Sequence, residues 1–418
     1  MRWIWYCCCV LLLCTTVKVH ADSAEQLFAR FEPALLQVRV LEKASGAKAS
    51  IGTGFVLEQA NLLVTNYHVV SEAVLFPEKY QLEYLAVNQQ KGALTVLAVD
   101  VVNDLALVKT DYQPEHRFSI QPEKPVQGAT LYSLGNPHDL GMILVPGTYN
   151  GLQKYSFYPR IHFTGAVNSG MSGGPTVDAS GKVVGVNVAS AGNQLGFLVP
   201  ADALAKLLLK YQQQQADSNF PKQIEQQLLD SQQAMFSEIL SANWQLKDFG
   251  PGKVPDEVVP FIRCWGESNV EKSKDQLKKV AAFCSQSEEI FLSQRFSTGR
   301  IEMQFEWLHG ADLHPLQFFT RYEQNISSAN ADNQASKEDV TPFECQHQVV
   351  QQQNGQHAKT IFCVRAYRNF AGLFDALYLA ASLDHQQQGV ISHFTLSGVS
   401  QENAQAFARK FSEAVLWQ

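Results

Sequence analysis

The chain has 418 residues, 45% of them hydrophobic and 17% charged, a balance that excludes a disordered protein and leaves room for two or three domains, each with an apolar core. Its formal net charge is −7 and no basic cluster offsets it, so nucleic acid is not expected as a partner.

At the N-terminus Arg2 precedes an apolar run from about Ile4 to Val17, and "VKVHAD" follows with small Ala21 at the cleavage position. This is the pattern of a signal peptide over residues 1–21. The run is too short to span a bilayer comfortably, and no later stretch approaches about twenty apolar residues. Export to the periplasm or beyond the cell is therefore expected, with no stable membrane span after cleavage; an uncleaved N-terminal anchor is the competing reading. Lipidation at Cys14 is disfavoured, because "LLLC" lacks the small residue usually found before a lipidated cysteine. Cleavage would remove Arg2 and Lys18 but no acid, leaving 31 basic residues against 40 acidic, a balance of −9.

From Ala24 to about Tyr211 short β runs alternate with Gly, Asn and Pro: "GTGFVLE", "NLLVTN", "LTVLAVDVV", "DLALVKT", "ATLYSLG", "RIHFTGAV", "GKVVGVNVAS" and "LGFLVP". Closely spaced strands with turn residues between them predict an all-β sandwich or barrel over residues 22–211. The segment Asp178–Gly181 reads as a hairpin turn. In "PADALAKLLLKY", Leu204, Leu207, Leu208 and Tyr211 recur at helical spacing after Pro200 and Asp202, predicting a closing helix. Residues 212–225 are Gln-rich and read as a linker, part of which suits a helix.

Residues 226–418 mix helical patterns ("IEQQLLDSQQAMFSEILSA", "SQENAQAFARKFSEAVLW") with strand patterns ("EEIFLSQRFS", "IEMQFEW", "KTIFCVRAY", "GVISHFTL"), predicting an α+β domain. Four cysteines lie beyond the signal segment, all here: Cys264, Cys284, Cys345 and Cys363. In an exported chain an even number favours two disulfides, and pairing of sequence neighbours is the simplest of three connectivities. None has CxxC spacing, so neither metal nor any other cofactor is expected.

Three stretches of the β segment belong together: "VTNYHVV" with His68, "VNDLALVK" with Asp104, and "NSGMSGGP" with Ser172. A serine hydroxyl is a weak nucleophile at neutral pH and needs a base within hydrogen-bond reach, for which imidazole titrates in the right range. The imidazole in turn needs a buried carboxylate to hold one tautomer and stabilise its positive form. When serine attacks an amide, the carbonyl oxygen becomes negative, and backbone N–H groups must point at it from a turn free of side chains. Gly170 and Ser172 would supply those donors, while Gly173 and Gly174 let the chain leave without crowding.

The order His, Asp, Ser, together with "FARFEPALLQVRV", "GTGFVLEQANLLVTNYHVV", "DVVNDLALVK", "LGNPHDLG", "GAVNSGMSGGPTVDASGKVVGVNVAS" and "GFLVPADALAKLL", resembles trypsin-fold serine proteases, specifically their bacterial HtrA (Deg) branch, over residues 24–210. The resemblance implies two six-stranded barrels with the site between them, His68 as base, Asp104 as its orienting partner, Ser172 as nucleophile, and an oxyanion hole of the Gly170 and Ser172 N–H groups. It also implies that Val188, Ala189 and Ser190 pair with the substrate backbone and that Ala166 and Val167 contribute to the specificity pocket. Polypeptides are the implied substrates and protein quality control the implied setting. Met171 departs from the asparagine usual in the family, and its bulk is placed to reshape the pocket entrance. No PDZ module is recognisable in the second half, so peptide-gated control does not carry over.

His138 and Asp139 in "GNPHDLG", His162 on a strand, and Asp100 read as loop, core or strand-end residues rather than chemical ones. The alternative to a serine endopeptidase is a chaperone-like protein that binds clients through a weak or vestigial protease barrel; an esterase using the same groups is a third reading.

Overall fold

The computed structural model describes residues 23–59, 62–190, 195–213, 219–270, 276–286, 288–327, 335–351, 355–383 and 387–417. The expected signal peptide, residues 1–21, lies outside them.

Helix α1 (Ala24–Phe31) starts at a capping box in which Ser23 and Gln26 satisfy each other's backbone N–H groups. Strands β1 (Leu35–Glu42), β2 (Lys48–Val56) and β3 (Leu62–Thr65), helix α2 (Tyr67–Leu75), and strands β4 (Tyr80–Ala86), β5 (Lys91–Asp100) and β6 (Leu105–Lys109) follow. The six strands close into a barrel in the order β1-β2-β3-β6-β5-β4. A second set, β7 (Thr130–Gly135), β8 (Ile143–Leu152), β9 (Ile161–Thr164), β10 (Pro175–Val177), β11 (Val183–Ser190) and β12 (Gly196–Pro200), closes in the equivalent order β7-β8-β9-β12-β11-β10. The sequence shows no fixed-period repeat, yet the topology repeats, because each barrel needs only inward apolar alternation and not a particular set of side chains.

The barrels meet on a shared core. Leu27 and Phe31 of α1, Leu35 and Phe55 of the first barrel, Phe118 of the connection, Val177 and Val199 of the second, and Leu204, Leu207 and Leu208 of α3 (Ala201–Gln213) form one buried cluster. Phe31 stacks on Phe118 with ring centroids 4.5 Å apart, and Phe118 is fully buried, so truncating it to alanine is expected to cost about 3–5 kcal/mol. The predicted closing helix thus seals the seam between the barrels.

The Gln-rich stretch runs from the end of α3 into α4 (Phe220–Ser241), with residues 214–218 outside the described ones. Beyond it the chain is β-rich: β13 (Leu246–Phe249), β14 (Gly252–Pro255), β15 (Arg263–Ser268), β16 (Lys278–Ser285), β17 (Ile290–Ser293), β18 (Phe296–Thr298), β19 (Ile301–His309), helix α5 (Pro315–Ser327), β20 (Glu344–Gln351), β21 (His357–Ala366), β22 (Phe374–Ser382), β23 (Gln388–Val399), helix α6 (Gln401–Ala414) and β24 (Leu416–Trp417). Seven strands form one antiparallel sheet, β15-β16-β19-β23-β22-β21-β20. Phe407 and Phe411 of α6 pack on Phe394 of β23, while Phe318 and Tyr322 of α5 join Leu308, Leu379 and Ile391 in a separate cluster.

The disulfides join Cys264 to Cys284 and Cys345 to Cys363, the neighbour pairing. Each pair sits at directly opposed positions and staples an edge strand, β15 or β20, to its neighbour. Both edges of the large sheet are thereby held, which is where fraying and unwanted pairing begin.

The C-terminal region is fused to the first barrel. Buried residues of that barrel, including Val38, Tyr67 and Val99, belong to the same apolar cluster as Ile224, Phe236, Phe261, Phe305 and Phe394. Gln227 of α4 accepts from Val101 N at 2.8 Å and donates to Val99 O at 2.9 Å, satisfying backbone groups where β5 runs out.

Candidate active site

Asp104 reaches His68 because its backbone is left-handed. The turn between β5 and β6 is closed by Asp100, whose carboxylate accepts from Asn103 N at 2.9 Å and Nδ2 at 2.8 Å, and Asp104 follows with φ +60°. Aspartate tolerates this conformation better than most residues. Its carboxylate is thereby aimed at the start of α2, where Oδ1 accepts from His68 N at 2.8 Å and Oδ2 lies 2.6 Å from His68 Nδ1. An ionised carboxylate can only accept, so Nδ1 carries the proton and Nε2 is left as the basic nitrogen. The same group satisfies an orphan donor of the helix, whose N-cap residue Asn66 instead donates Nδ2 to Asp104 O at 2.7 Å.

Burial of the imidazole works against its charged form. The Asp104 charge and hydrogen bond together outweigh that penalty, and the His68 pKa stands above its ordinary 6.5.

Ser172 is the second residue of the latter of two consecutive tight turns in the loop joining β9 to β10. The first is closed by Met171 N donating to Asn168 O at 2.9 Å and has Gly170 as its third residue, at φ +93°. The second is closed by Gly174 N donating to Met171 O at 3.0 Å and has Gly173 as its third residue, at φ +82°. Both positions demand positive φ and close approach: a Cβ on Gly170 would collide with Asn136 O, and one on Gly173 with Thr53 O. Among the described residues neither the Gly170 N–H nor the Ser172 N–H has a protein acceptor.

Three further residues hold this loop; sequence reasoning missed two, Thr53 and Asn187, and read the third, His138, only as a loop residue. Thr53 of β2, fully buried, donates Oγ1 to Gly170 O at 2.7 Å, accepts there from Asn136 N at 3.0 Å, and donates its backbone N–H to Ser172 O at 2.8 Å. The first barrel thus grips the serine loop of the second. Asn187 of β11, also fully buried, donates Nδ2 to Leu134 O and Met171 O and accepts from Ser133 and Thr176 hydroxyls. His138 N donates to Ser169 O at 2.9 Å, so the "GNPHDLG" loop cradles the first turn; Asp139 pairs with Lys48 at 2.7 Å. The available signal was a buried polar residue between two glycines in "GTGF" and a lone Asn in an apolar strand, both of which require partners.

Ser172 lies in the second barrel and His68 in the first, and Gly52 marks a close approach between the two: a Cβ there would come within 2.5 Å of Cγ2 of Val69, the residue after His68, and 3.2 Å of Ser172 O. The Ser172 hydroxyl donates to Val188 O at 3.3 Å and, among the described residues, makes no hydrogen bond to His68. Val188 is available because the β11–β12 register shifts between Asn187 and Ala189, leaving it out of the ladder. Ala189 and Ser190 continue β11 opposite Phe197 and Gly196. Val167 is 3% exposed and packs over Gly196, while Ala166 is half-buried. Met171 corrects one expectation: it is fully buried with Tyr149, Phe163 and Leu198 in the core of the second barrel, so its bulk fills that core and is not presented at the surface. Its neighbourhood is apolar, so a thioether is the better fit there. A cavity of about 1460 Å³ lies elsewhere, lined by Phe362, Tyr378, Ala404 and Arg409 of the C-terminal region.

Two six-stranded antiparallel barrels of equivalent strand order, with a glycine-turn serine on one and an Asp-held histidine on the other, make the trypsin-like double barrel. Residues 52–186 match the trypsin-like peptidase domain. Among curated relatives, serine protease HTRA3 of Homo sapiens is 24% identical over 226 residues, 50% of this chain and 49% of the relative. A probable periplasmic serine endoprotease, DegP-like, of Chlamydia pneumoniae is 31% identical over 175 residues, 40% of this chain and 34% of the relative. The chain thus spans about half the length, or less, of these curated relatives. Among solved structures, the serine endoprotease from Yersinia pestis is similar at a TM-score of 0.40 and 24% identity, covering 46% of this chain and 66% of that one. The chain carries a trypsin-like peptidase domain whose homologues are HtrA and DegP proteases.

Proposed function

We propose that the protein is an exported serine endopeptidase of the HtrA-like kind. Ser172 Oγ attacks the peptide carbonyl carbon as its proton passes to His68 Nε2, Asp104 stabilises the imidazolium, and the Gly170 and Ser172 N–H groups receive the oxyanion. Collapse breaks the C–N bond, His68 returns the proton to the leaving amine, and water, activated by the same imidazole, cleaves the acyl-enzyme. The observation that supports this reading best is the 2.6 Å His68–Asp104 contact in one barrel together with, in the other, a serine whose loop presents two backbone N–H groups that have no protein acceptor among the described residues. Rotation of the Ser172 side chain away from Val188 O would free that carbonyl to accept from a substrate N–H, with Val188–Ser190 pairing as the adjoining strand.

The test is labelling by a fluorophosphonate probe. Wild type is expected to label, Ser172→Ala not at all, and His68→Ala at a small fraction of the wild-type rate; equal labelling of wild type and Ser172→Ala would refute the assignment. Two disulfides and DegP-like relatives support an oxidising compartment such as the periplasm, with misfolded polypeptides as substrates.

One observation favours the second reading, a client-binding protein with little turnover: the Ser172 hydroxyl is bonded to Val188 O and not to the imidazole. Tight client binding by Ser172→Ala beside undetectable cleavage by wild type would decide for it.

A further inference from the structure

The hairpin formed by β17 and β18 brings the C-terminal region onto the helix that carries His68. Strand alternation sends Ile290 and Leu292 into the core, 5% and 0% exposed, so Phe291 faces the opposite way. Its ring meets the His68 imidazole edge-on, with centroids 5.8 Å apart and planes at 70°. A register shift between Phe291 and Ser293 takes Leu292 out of the hairpin ladder, and its carbonyl accepts from Tyr67 Oη at 3.0 Å. Tyr67 precedes His68 and is fully buried, and burial pushes its hydroxyl pKa far up, so it remains a donor. Further along, Gln294 N donates to Glu72 Oε1 at 3.4 Å and Gln294 Nε2 to Ala49 O at 3.3 Å.

The hairpin is itself firmly rooted. Phe296 packs on Tyr367 with centroids 4.8 Å apart, and Thr298 Oγ1 lies 2.8 Å from Tyr367 Oη. Tyr367 donates to fully buried Asp375 at 2.7 Å, and Arg365 Nε donates to the same carboxylate at 2.7 Å.

We propose that Phe291 is a positioning residue for His68, so that the C-terminal region completes the active site of the peptidase barrels. The hydrogen bond to Asp104 fixes Nδ1 but leaves the imidazole free to swing about that bond, carrying Nε2 toward or away from Ser172. An aromatic ring set edge-on against the imidazole restricts that swing, and aromatic pairs of this kind hold their geometry beyond what burial alone provides. The Tyr67–Leu292 bond restrains the backbone one residue away. This rests on His68 being the base, as proposed above.

The test uses the full chain, with rates counted per active site by probe titration so that loss of folded protein does not enter. Phe291→Ala is expected to lower kcat about tenfold with KM within about twofold of wild type, and Phe291→Tyr, which keeps the ring, to preserve kcat. A kcat for Phe291→Ala within about twofold of wild type, a loss carried by KM alone, or a loss that Phe291→Tyr shares in full overturns the proposal. Should Phe291→Ala fail to fold, Tyr67→Phe removes only the bond to Leu292 and is expected to lower kcat about threefold, an unchanged kcat counting against the proposal. The His68 Cε1–H resonance supplies a readout independent of turnover: loss of the ring current moves it in Phe291→Ala and not in Phe291→Tyr, and an unmoved resonance in Phe291→Ala refutes the contact. A wild type that neither labels nor turns over refutes the Ser172 reading, while the resonance still decides the placement of Phe291.

Discussion

Thr53→Val tests whether the first barrel controls the chemistry of the second. Valine has nearly the shape of threonine, so no cavity opens, and the backbone bond from residue 53 to Ser172 O survives. What disappears is one hydroxyl with two buried partners, the Gly170 carbonyl at 2.7 Å and the Asn136 N–H at 3.0 Å. Each orphaned buried group costs about 1–3 kcal/mol, so the variant is expected to lose about 2–4 kcal/mol of stability, the two terms overlapping because both groups belong to one packed loop. The effect on rate is separate. The Gly170 N–H, the proposed oxyanion donor, belongs to the peptide next to the carbonyl that Thr53 anchors, and complete loss of such a donor costs about 3 kcal/mol in the transition state. A loosened turn forfeits part of that, giving a kcat about 10- to 100-fold lower with KM little changed, since the oxyanion exists only during reaction. Denaturant unfolding measures the first quantity and peptide hydrolysis the second, with Thr53→Ser as the control that keeps the hydroxyl. If Thr53→Val hydrolyses peptide within about twofold of wild type while remaining folded, the barrel-to-barrel clamp has no catalytic role.

The raised His68 pKa sets a pH dependence. An imidazole accepts a proton only when neutral, so the acid limb of wild-type kcat/KM should lie above the ordinary histidine value of 6.5. The matching stabilisation is complete below that ordinary value and is lost as pH rises through the raised one. Asp104→Asn removes the charge that raises the pKa, so its acid limb should move to lower pH while the plateau falls about 10⁴-fold, as in triads of this type; a limb moving upward would contradict the role given to Asp104. Replacing either disulfide pair with alanines is expected to cost about 3 kcal/mol, the closed loops spanning sequence separations of 20 and 18 residues. Hydrogen exchange should accelerate in β15 or β20 before it does in central β19 and β23, and uniform acceleration across the sheet would refute the edge-staple account. Ala166, Val167 and Val188 offer no carboxylate to the pocket, so a peptide library should show small to medium aliphatic residues before the cut; a profile dominated by Arg or Lys would contradict that assignment.

Much of this molecule was readable from residue types because local backbone chemistry dictates them. Gly170 and Gly173 stand where φ is positive and a Cβ would strike another chain segment, and Asp104 stands where a left-handed residue must also carry an acceptor. Strand alternation and the Leu204, Leu207, Leu208 spacing announced the barrels and their sealing helix in the same way. Met171 was misjudged because chain position does not say which way a side chain turns: beside a nucleophile it reads as a pocket residue, and only the closed second barrel shows the apolar core that receives it.

The sequence by itself therefore determined the candidate groups and the turns that present them, since those are properties of a few consecutive residues. The tertiary structure alone decided what holds the groups in register. Thr53 meets Gly170, 117 positions later, only after two barrels have closed and docked, and Tyr67 meets Leu292, 225 positions away, only when the C-terminal hairpin lies on α2. Such contacts depend on how complete sheets pack against one another, a relation between distant surfaces that no local pattern of residues carries.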